Sequence, residues 1–171
     1  LQRGYYVGSI AQIDHLGIPA VHMQDAGQGF RTHETDQHGQ TTAWPSMLSV
    51  AATWDAALVR RWGEALGEEF RAKGANVILG PGVQVCRVPR GGRNAEYLSG
   101  EDPYLGALLV PSYVQGVQSK GVAAVPKHFA LNSQETSRTS QSSDAAERTL
   151  WEVYYPPFEA AVEAGAAAVM C

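Results

Sequence analysis

Four side chains of this 171-residue chain could act together on one ligand: Asp25, Arg93, Lys127 and His128. They are far apart in sequence, yet each comes after a short apolar run. Asp25 follows Ile18–Met23, Arg93 lies in the polar stretch after Val77–Leu79, and Lys127-His128 directly follow Val122–Pro126. A carboxylate accepts hydrogen bonds, while Arg, Lys and His donate them. An acid among such donors, in a polar cleft, suits a neutral polyhydroxylated ligand. Taken singly, each residue has a plainer explanation. Asp25 could cap a turn with the glycines after it, Arg93 could pair with Glu96 or Glu101, and Lys127-His128 could be a solvated strand end. It is their shared placement, after successive apolar runs, that makes a site the better reading.

That placement requires elements that bring the run ends together. Besides the runs already named, Ala166–Met170 reads as a closing buried strand and Leu48–Ala52 as a weaker one. Asp55 stands where a helix N-cap belongs; Val59, Trp62, Leu66 and Phe70 follow at helical spacing, and Gly74 is a natural stop. Asp102-Pro103 pairs an N-cap with a proline at the first helical position, ahead of the apolar face Leu105, Leu108, Leu109, Tyr113 and Val117. Pro111 inside that helix should cost about 3 kcal/mol or force a kink. Asp144 and Glu147 have the spacing of a capping box, and Pro156-Pro157 must break the helical pattern of Leu150–Val162. About five strand-like runs alternating with helices imply parallel βα units. Continuous apolar runs are what strands buried on both faces look like. A doubly wound sheet and part of a (β/α)8 barrel both fit. A complete barrel usually takes about 250 residues, so this chain would hold roughly the first five strands. In either architecture the loops after the strands share the carboxyl edge of the sheet, where active sites lie. Asp25 and Lys127 should then stand within about 15 Å of each other, roughly three inter-strand spacings.

Composition excludes several alternatives. Thirteen Lys and Arg against seventeen Asp and Glu leave a net charge of −4, and the basic residues form no run. This is not the pattern of a nucleic-acid binder or an anionic-membrane binder. No apolar stretch approaches the roughly 18 residues of a spanning helix. Two cysteines exclude a disulfide scaffold; Cys86 reads as a loop thiol and Cys171 as a buried, inert one. The glycines of Gly27-Gln-Gly29 and Gly80-Pro-Gly82 match neither a Walker loop nor a dinucleotide fingerprint. His33 and His38, near Glu34 and Asp36, could ligate a metal, but a solvated loop is the better reading.

The residues now on the page resemble a known family, the N-terminal barrel domain of glycoside hydrolase family 3, which comprises β-glucosidases and β-xylosidases. The matching segments are Leu16-Gly-Ile-Pro19, Met23-Gln-Asp25, Gly29-Phe-Arg31, Ala51-Ala-Thr-Trp-Asp55, Gly80-Pro-Gly82 and Gly91-Gly-Arg-Asn94. They continue with Glu101-Asp-Pro-Tyr-Leu105, Lys127-His-Phe129, Asn132 with Gln134-Glu-Thr136, Tyr155-Pro-Pro-Phe158 and Val169-Met-Cys171. They run in family order over nearly the whole of residues 1–171, which the resemblance makes a partial N-terminal domain. The resemblance implies a retaining β-glycosidase acting on terminal non-reducing β-linked sugars, in oligosaccharides or aryl and alkyl glycosides. Asp25 would accept from two sugar hydroxyls. Arg31, Arg93, Lys127 and His128 would donate to hydroxyls of the same subsite, and Met170 would be an apolar wall. That chemistry uses two carboxylates, a nucleophile and an acid/base, and needs no metal or organic cofactor. Both are expected beyond Cys171, so this chain alone should be inactive, with the rest of the barrel supplied by further sequence or another chain. Within the chain, Glu135 and Asp144 are the loop carboxylates to examine if it proves active. The alternative is a non-catalytic sugar-binding or structural subunit. The resemblance leans toward secretion or a periplasm-like space. Two departures bear on the site: Ala26-Gly27 replaces the family's usual Gly-Pro and should alter the turn carrying Asp25, and Ala95 replaces an aromatic, which should change the pocket's shape. Changes at Asp25 or Lys127 should cost little stability, because both should face a wet cleft.

Overall fold

Helix formation follows the caps. In the computed structural model, which describes residues 6–32 and 38–171, Asp55 accepts a hydrogen bond from Leu58 N at 2.9 Å and opens α2 (Ala56–Ala72). Val59, Trp62, Leu66 and Phe70 all face the core, and Gly74 ends the helix at φ +83°. Asp102 likewise accepts from Tyr104 N at 2.8 Å and opens α3 (Pro103–Gln118), which stays continuous through Pro111. The fixed φ of proline is compatible with a helix, and α3 is held along its length by packing on α2 and on the last helix, α5 (Pro156–Glu163). The α2–α3 contact is close because glycines face each other. A Cβ on Gly116 would lie 2.5 Å from the Arg60 carbonyl, and one on Gly63 would lie 2.8 Å from the Tyr113 carbonyl.

Among the described residues, four strands form one sheet in the order β1-β2-β3-β4: β1 (Gly8–Ile10), β2 (Val21–Gln24), β3 (Val77–Ile78) and β4 (Ala123–Ala124). β2, β3 and β4 are parallel, with Met23 opposite Val77 and Val77 opposite Ala123; α2 and α3 are the intervening crossovers. The expected parallel βα architecture is therefore present. Asn76, just before β3, ties β3 to β2 at their amino ends, donating from Nδ2 to the Ala20 carbonyl and accepting from His22 N, each at 2.8 Å. β1, which has no clear alternation in sequence, adds an antiparallel edge on β2.

Several elements differ from the sequence expectation. Leu48–Ala52 is helical, not extended: α1 (Met47–Ala51) is capped by Ser46, whose hydroxyl accepts from Ser49 N, and it buries Met47, Val50 and Ala51 at helical spacing. Asp144 and Glu147 do not form a capping box. Ala146 is the extended residue before α4 (Glu147–Thr149), which leaves Asp144 two residues too early to reach the first-turn amides. A π-helical turn (Leu150–Tyr154) follows, and the break falls at the prolines as expected, with Pro156 opening α5 (Pro156–Glu163). Ala166–Met170 is not a buried strand. It runs parallel to β4 through Ala167 N to Ala124 O at 3.2 Å and Met170 N to Pro126 O at 2.9 Å, but it lies at the sheet edge, and Ala167 and Ala168 are exposed. Cys171 is exposed there for the same reason, while Cys86 is buried.

Candidate functional site

The first apolar run delivers Asp25 one residue past β2. Its backbone N–H donates to the Gln24 side chain at 2.8 Å, and its carbonyl accepts from Arg31 N at 2.7 Å. Between them, Ala26 and Gly29 exchange two backbone hydrogen bonds, which close a tight turn. Tyr113 anchors that turn from α3 by donating to the Gly27 carbonyl at 2.8 Å. Ala26-Gly27 thus forms an ordered turn that presents Asp25. Gly27 and Gly80 touch: a Cβ on Gly80 would lie 2.5 Å from Gly27 Cα, so neither position has room for a side chain.

The third parallel strand delivers Lys127. Its Nζ lies 2.7 Å from Asp25 Oδ1, far inside the limit set from strand spacing. Lys127 is not a solvated strand end: its side chain is only 5% exposed, against 24% for Asp25. Backbone pairing with Val83 and Pro81 on one side, and a bridge to Met170 on the other, enclose it. The wet-cleft expectation therefore fails for Lys127. Arg31 reaches the other carboxylate oxygen at 3.5 Å from a largely exposed position.

Arg93 is held by Glu96 and stands 3.6 Å from Glu135, which also pairs with Arg138 at 3.1 Å. Burial works against the Arg93 charge, but the hydrogen bond Arg93 donates to Glu96 and the neighbouring acids outweigh it and hold its pKa above the ordinary value. Its Nη1 is buried with no hydrogen-bond partner among the described residues, while Nη2 lies 3.3 Å from His128 Nε2. Burial, with Arg93 and Lys127 beside the ring, pushes the His128 pKa down to about 3. At neutral pH His128 is an uncharged imidazole.

All six expected residues, Asp25, Arg31, Arg93, Lys127, His128 and Met170, line one cavity of about 610 Å³ at the carboxyl edge of the parallel strands. Glu96, Glu135 and Arg138 also line it, so three carboxylates face four cations. This near-balance suits a neutral ligand that exchanges hydrogen bonds. Sequence reading named Glu96 and Glu135 for other reasons and did not name Arg138 or Tyr97. Their signal was slight: short spacings to Arg93 and His128 that mean nothing until the chain folds back. Ala95 is exposed and does not line the cavity. A neighbouring cavity of about 750 Å³ lies across residues 133–134, lined by Arg87, Arg90, Gln134 and Asp144 among others; it gathers none of the six. Of the tentative metal group, His33, Glu34 and Asp36 lie outside the described residues, and His38 is exposed. No helix among the described residues is long and apolar enough to cross a membrane.

Comparison with known proteins agrees with this geometry. Residues 5–171 match the Glycosyl hydrolase family 3 N terminal domain. The chain is 45% identical over 160 residues to the β-glucosidase BoGH3A of Bacteroides ovatus, covering 89% of this chain and 21% of that protein. It is 44% identical over 158 residues to the thermostable β-glucosidase B of Acetivibrio thermocellus, covering 88% and 21%. Among solved structures it superposes on DesR, a β-glucosidase from Streptomyces venezuelae in complex with D-glucose, with a TM-score of 0.90 at 38% identity, over 97% of this chain and 21% of that one. The β-glucosidase D2-BGL from Chaetomella raphigera gives a TM-score of 0.91 at 39% identity, over 99% and 23%. The chain thus spans about a fifth of the length of these relatives. With its α/β architecture, its ordered motifs and a match that begins at residue 5 and reaches residue 171, this chain belongs to glycosyl hydrolase family 3, in the N-terminal domain.

Proposed function

We propose that this chain forms the glycone-binding part of a retaining β-glucosidase site, in a (β/α)8 barrel domain whose remaining strands lie outside these 171 residues. The observation that carries this reading is the Asp25 carboxylate, held 2.7 Å from the buried Lys127 ammonium in a cavity that Arg93 also lines. Asp25 accepts from two adjacent sugar hydroxyls; its ion pairs with Lys127 and Arg31 hold it in position. Arg93, on the same wall, donates from its guanidinium to a hydroxyl oxygen. Met170 closes the cavity beside Lys127. A nucleophilic carboxylate and an acid/base, supplied from outside this sequence, then carry out the two displacements. That the relatives are β-glucosidases favours glucose at this subsite. A purely structural role is the weaker reading, because a scaffold has no need of a charged pair and a further guanidinium lining one cavity.

The test is thermal unfolding of the full-length protein with and without a glucose-configured iminosugar. The wild type should show a ligand-induced rise in melting temperature that Asp25→Ala abolishes, since binding only the folded state stabilises it. Charge-assisted hydrogen bonds are worth roughly 1.5–3 kcal/mol each, so losing two is enough to remove the effect. No rise in the wild type at millimolar inhibitor would overturn the assignment.

A further inference from the structure

The hydrogen bonds around His128 decide where its proton sits. Tyr97 is fully buried, and its Oη lies 2.8 Å from the Asn132 carbonyl oxygen and 3.1 Å from His128 Nδ1. A carbonyl oxygen can only accept, so the one phenolic proton is directed to Asn132. Nδ1 must then carry its own proton and donate it to Oη. At the far side of the ring, Nε2 lies 3.3 Å from Arg93 Nη2. A guanidinium can only donate, so Nε2 is the unprotonated acceptor. The longer contact to Arg93 is compatible with that tautomer, and the shorter one to Tyr97 imposes it. Its backbone is held too: the buried Gln84 amide, oriented to satisfy its neighbours, donates to the His128 carbonyl and accepts from Leu131 N, each at 3.0 Å.

We propose that Tyr97 is a positioning residue that locks His128 in the neutral Nδ1–H tautomer, so that Nε2 meets the cavity as an acceptor and never as a donor. This rests on the glycone-binding reading and refines it. His128 was expected to donate to a sugar hydroxyl; instead a ligand hydroxyl that displaces the 3.3 Å Arg93 contact must donate to Nε2, and the freed Arg93 Nη2 donates to a ligand oxygen. A ligand with a fluorine or methoxy group at that position offers no proton to Nε2 and should bind more weakly than its hydroxyl parent.

Long-range 1H–15N correlation spectra of the full-length protein, labelled at histidine side-chain nitrogens and recorded without sugar, read the tautomer directly. The His128 signal is assigned by its loss in His128→Gln. The wild type should show a single Nδ1–H form from pH 5 to 8. Tyr97→Phe should lose that single-tautomer signature, and Arg93→Met should keep it, because the Tyr97–Asn132 bond is intact there. A wild-type Nε2–H form, a ring that takes up a second proton near pH 6, or loss of the signature in Arg93→Met would overturn the proposal. So would a folded Tyr97→Phe protein with an unchanged spectrum. The wild-type and Arg93→Met spectra decide the matter even if Tyr97→Phe does not fold. Because no sugar is present, a failed tautomer test and a failed iminosugar test are separate results.

Discussion

Lys127 illustrates how burial changes the meaning of a charge. Its ammonium is almost entirely withdrawn from water, and Asp25 is the carboxylate within salt-bridge distance. Removing one partner of such a pair leaves the other desolvated and uncompensated, which costs more than the intact pair contributes. Lys127→Met should therefore lower unfolding free energy by about 1–3 kcal/mol, the lower part of the range for buried pairs because Asp25 keeps some exposure. Arg31→Met removes the exposed partner at 3.5 Å and should stay within about 0.5 kcal/mol of wild type. Urea unfolding of both variants at neutral pH separates them; equal costs would show that Asp25 is held by solvent and not by Lys127. The Arg93, Glu96, Glu135 and Arg138 group lines the same cavity, and a ligand entering there meets charges already paired with one another.

At the level of elements, the cavity depends on how closely α2 and α3 approach. Both helices are crossovers of the parallel sheet, so their separation sets where β3 and β4 can lie. Glycine is a poor helix former, and alanine at an exposed helical site would gain about 1 kcal/mol. At Gly116 the sign should reverse, because the added Cβ meets the Arg60 carbonyl at 2.5 Å and that backbone cannot swing away as a side chain could. Gly116→Ala should destabilise by about 1–3 kcal/mol, the usual cost of overpacking. A denaturant midpoint for Gly116→Ala at or above that of wild type would show that the helices can separate freely. Tyr113 adds a direct link from α3 to the site through the Gly27 carbonyl, so a shift of the helix reaches the Asp25 turn.

Across the whole molecule, one exposed apolar patch lies on α5, the turn before it and Phe129. Trp151 is 60% exposed, Val162 59% and Phe129 41%, and together with Tyr155 and Val169 they line an apolar cavity of about 640 Å³. A stacked pair, Phe129 on Tyr155, already covers part of it. Monomeric proteins rarely leave such patches open, which agrees with a barrel continued by sequence outside these residues. The expected outcome is that the purified 171-residue chain gives no hydrolysis of an aryl β-glucoside above background, while the longer protein containing it does. Turnover by the short chain in a release assay would mean that a carboxylate within it is the nucleophile. Glu135 is the first to test, since it lines the same cavity as Asp25.

What the sequence determined by itself was local or ordered along the chain. Asp55 and Asp102 capped helices where their spacing to the apolar faces required it, and the prolines after Tyr155 broke the last helical run. The placement of Asp25, Arg93, Lys127 and His128 after apolar runs anticipated one cavity, because parallel βα units bring strand ends to one edge whatever their separation in sequence. Tertiary structure decided the rest. Leu48–Ala52 has few residues and no periodicity long enough to separate strand from helix, and its packing as α1 came from a Ser46 cap and a core that accepts Met47 and Val50. The Asp144 cap failed through one extended residue, Ala146. Lys127 reads as exposed because lysine usually is; only the carbonyls and strands around it reveal a buried ammonium. The proton on His128 is the furthest from the sequence, since it is set by Tyr97 and Asn132, groups that meet only after the loops have folded over one another.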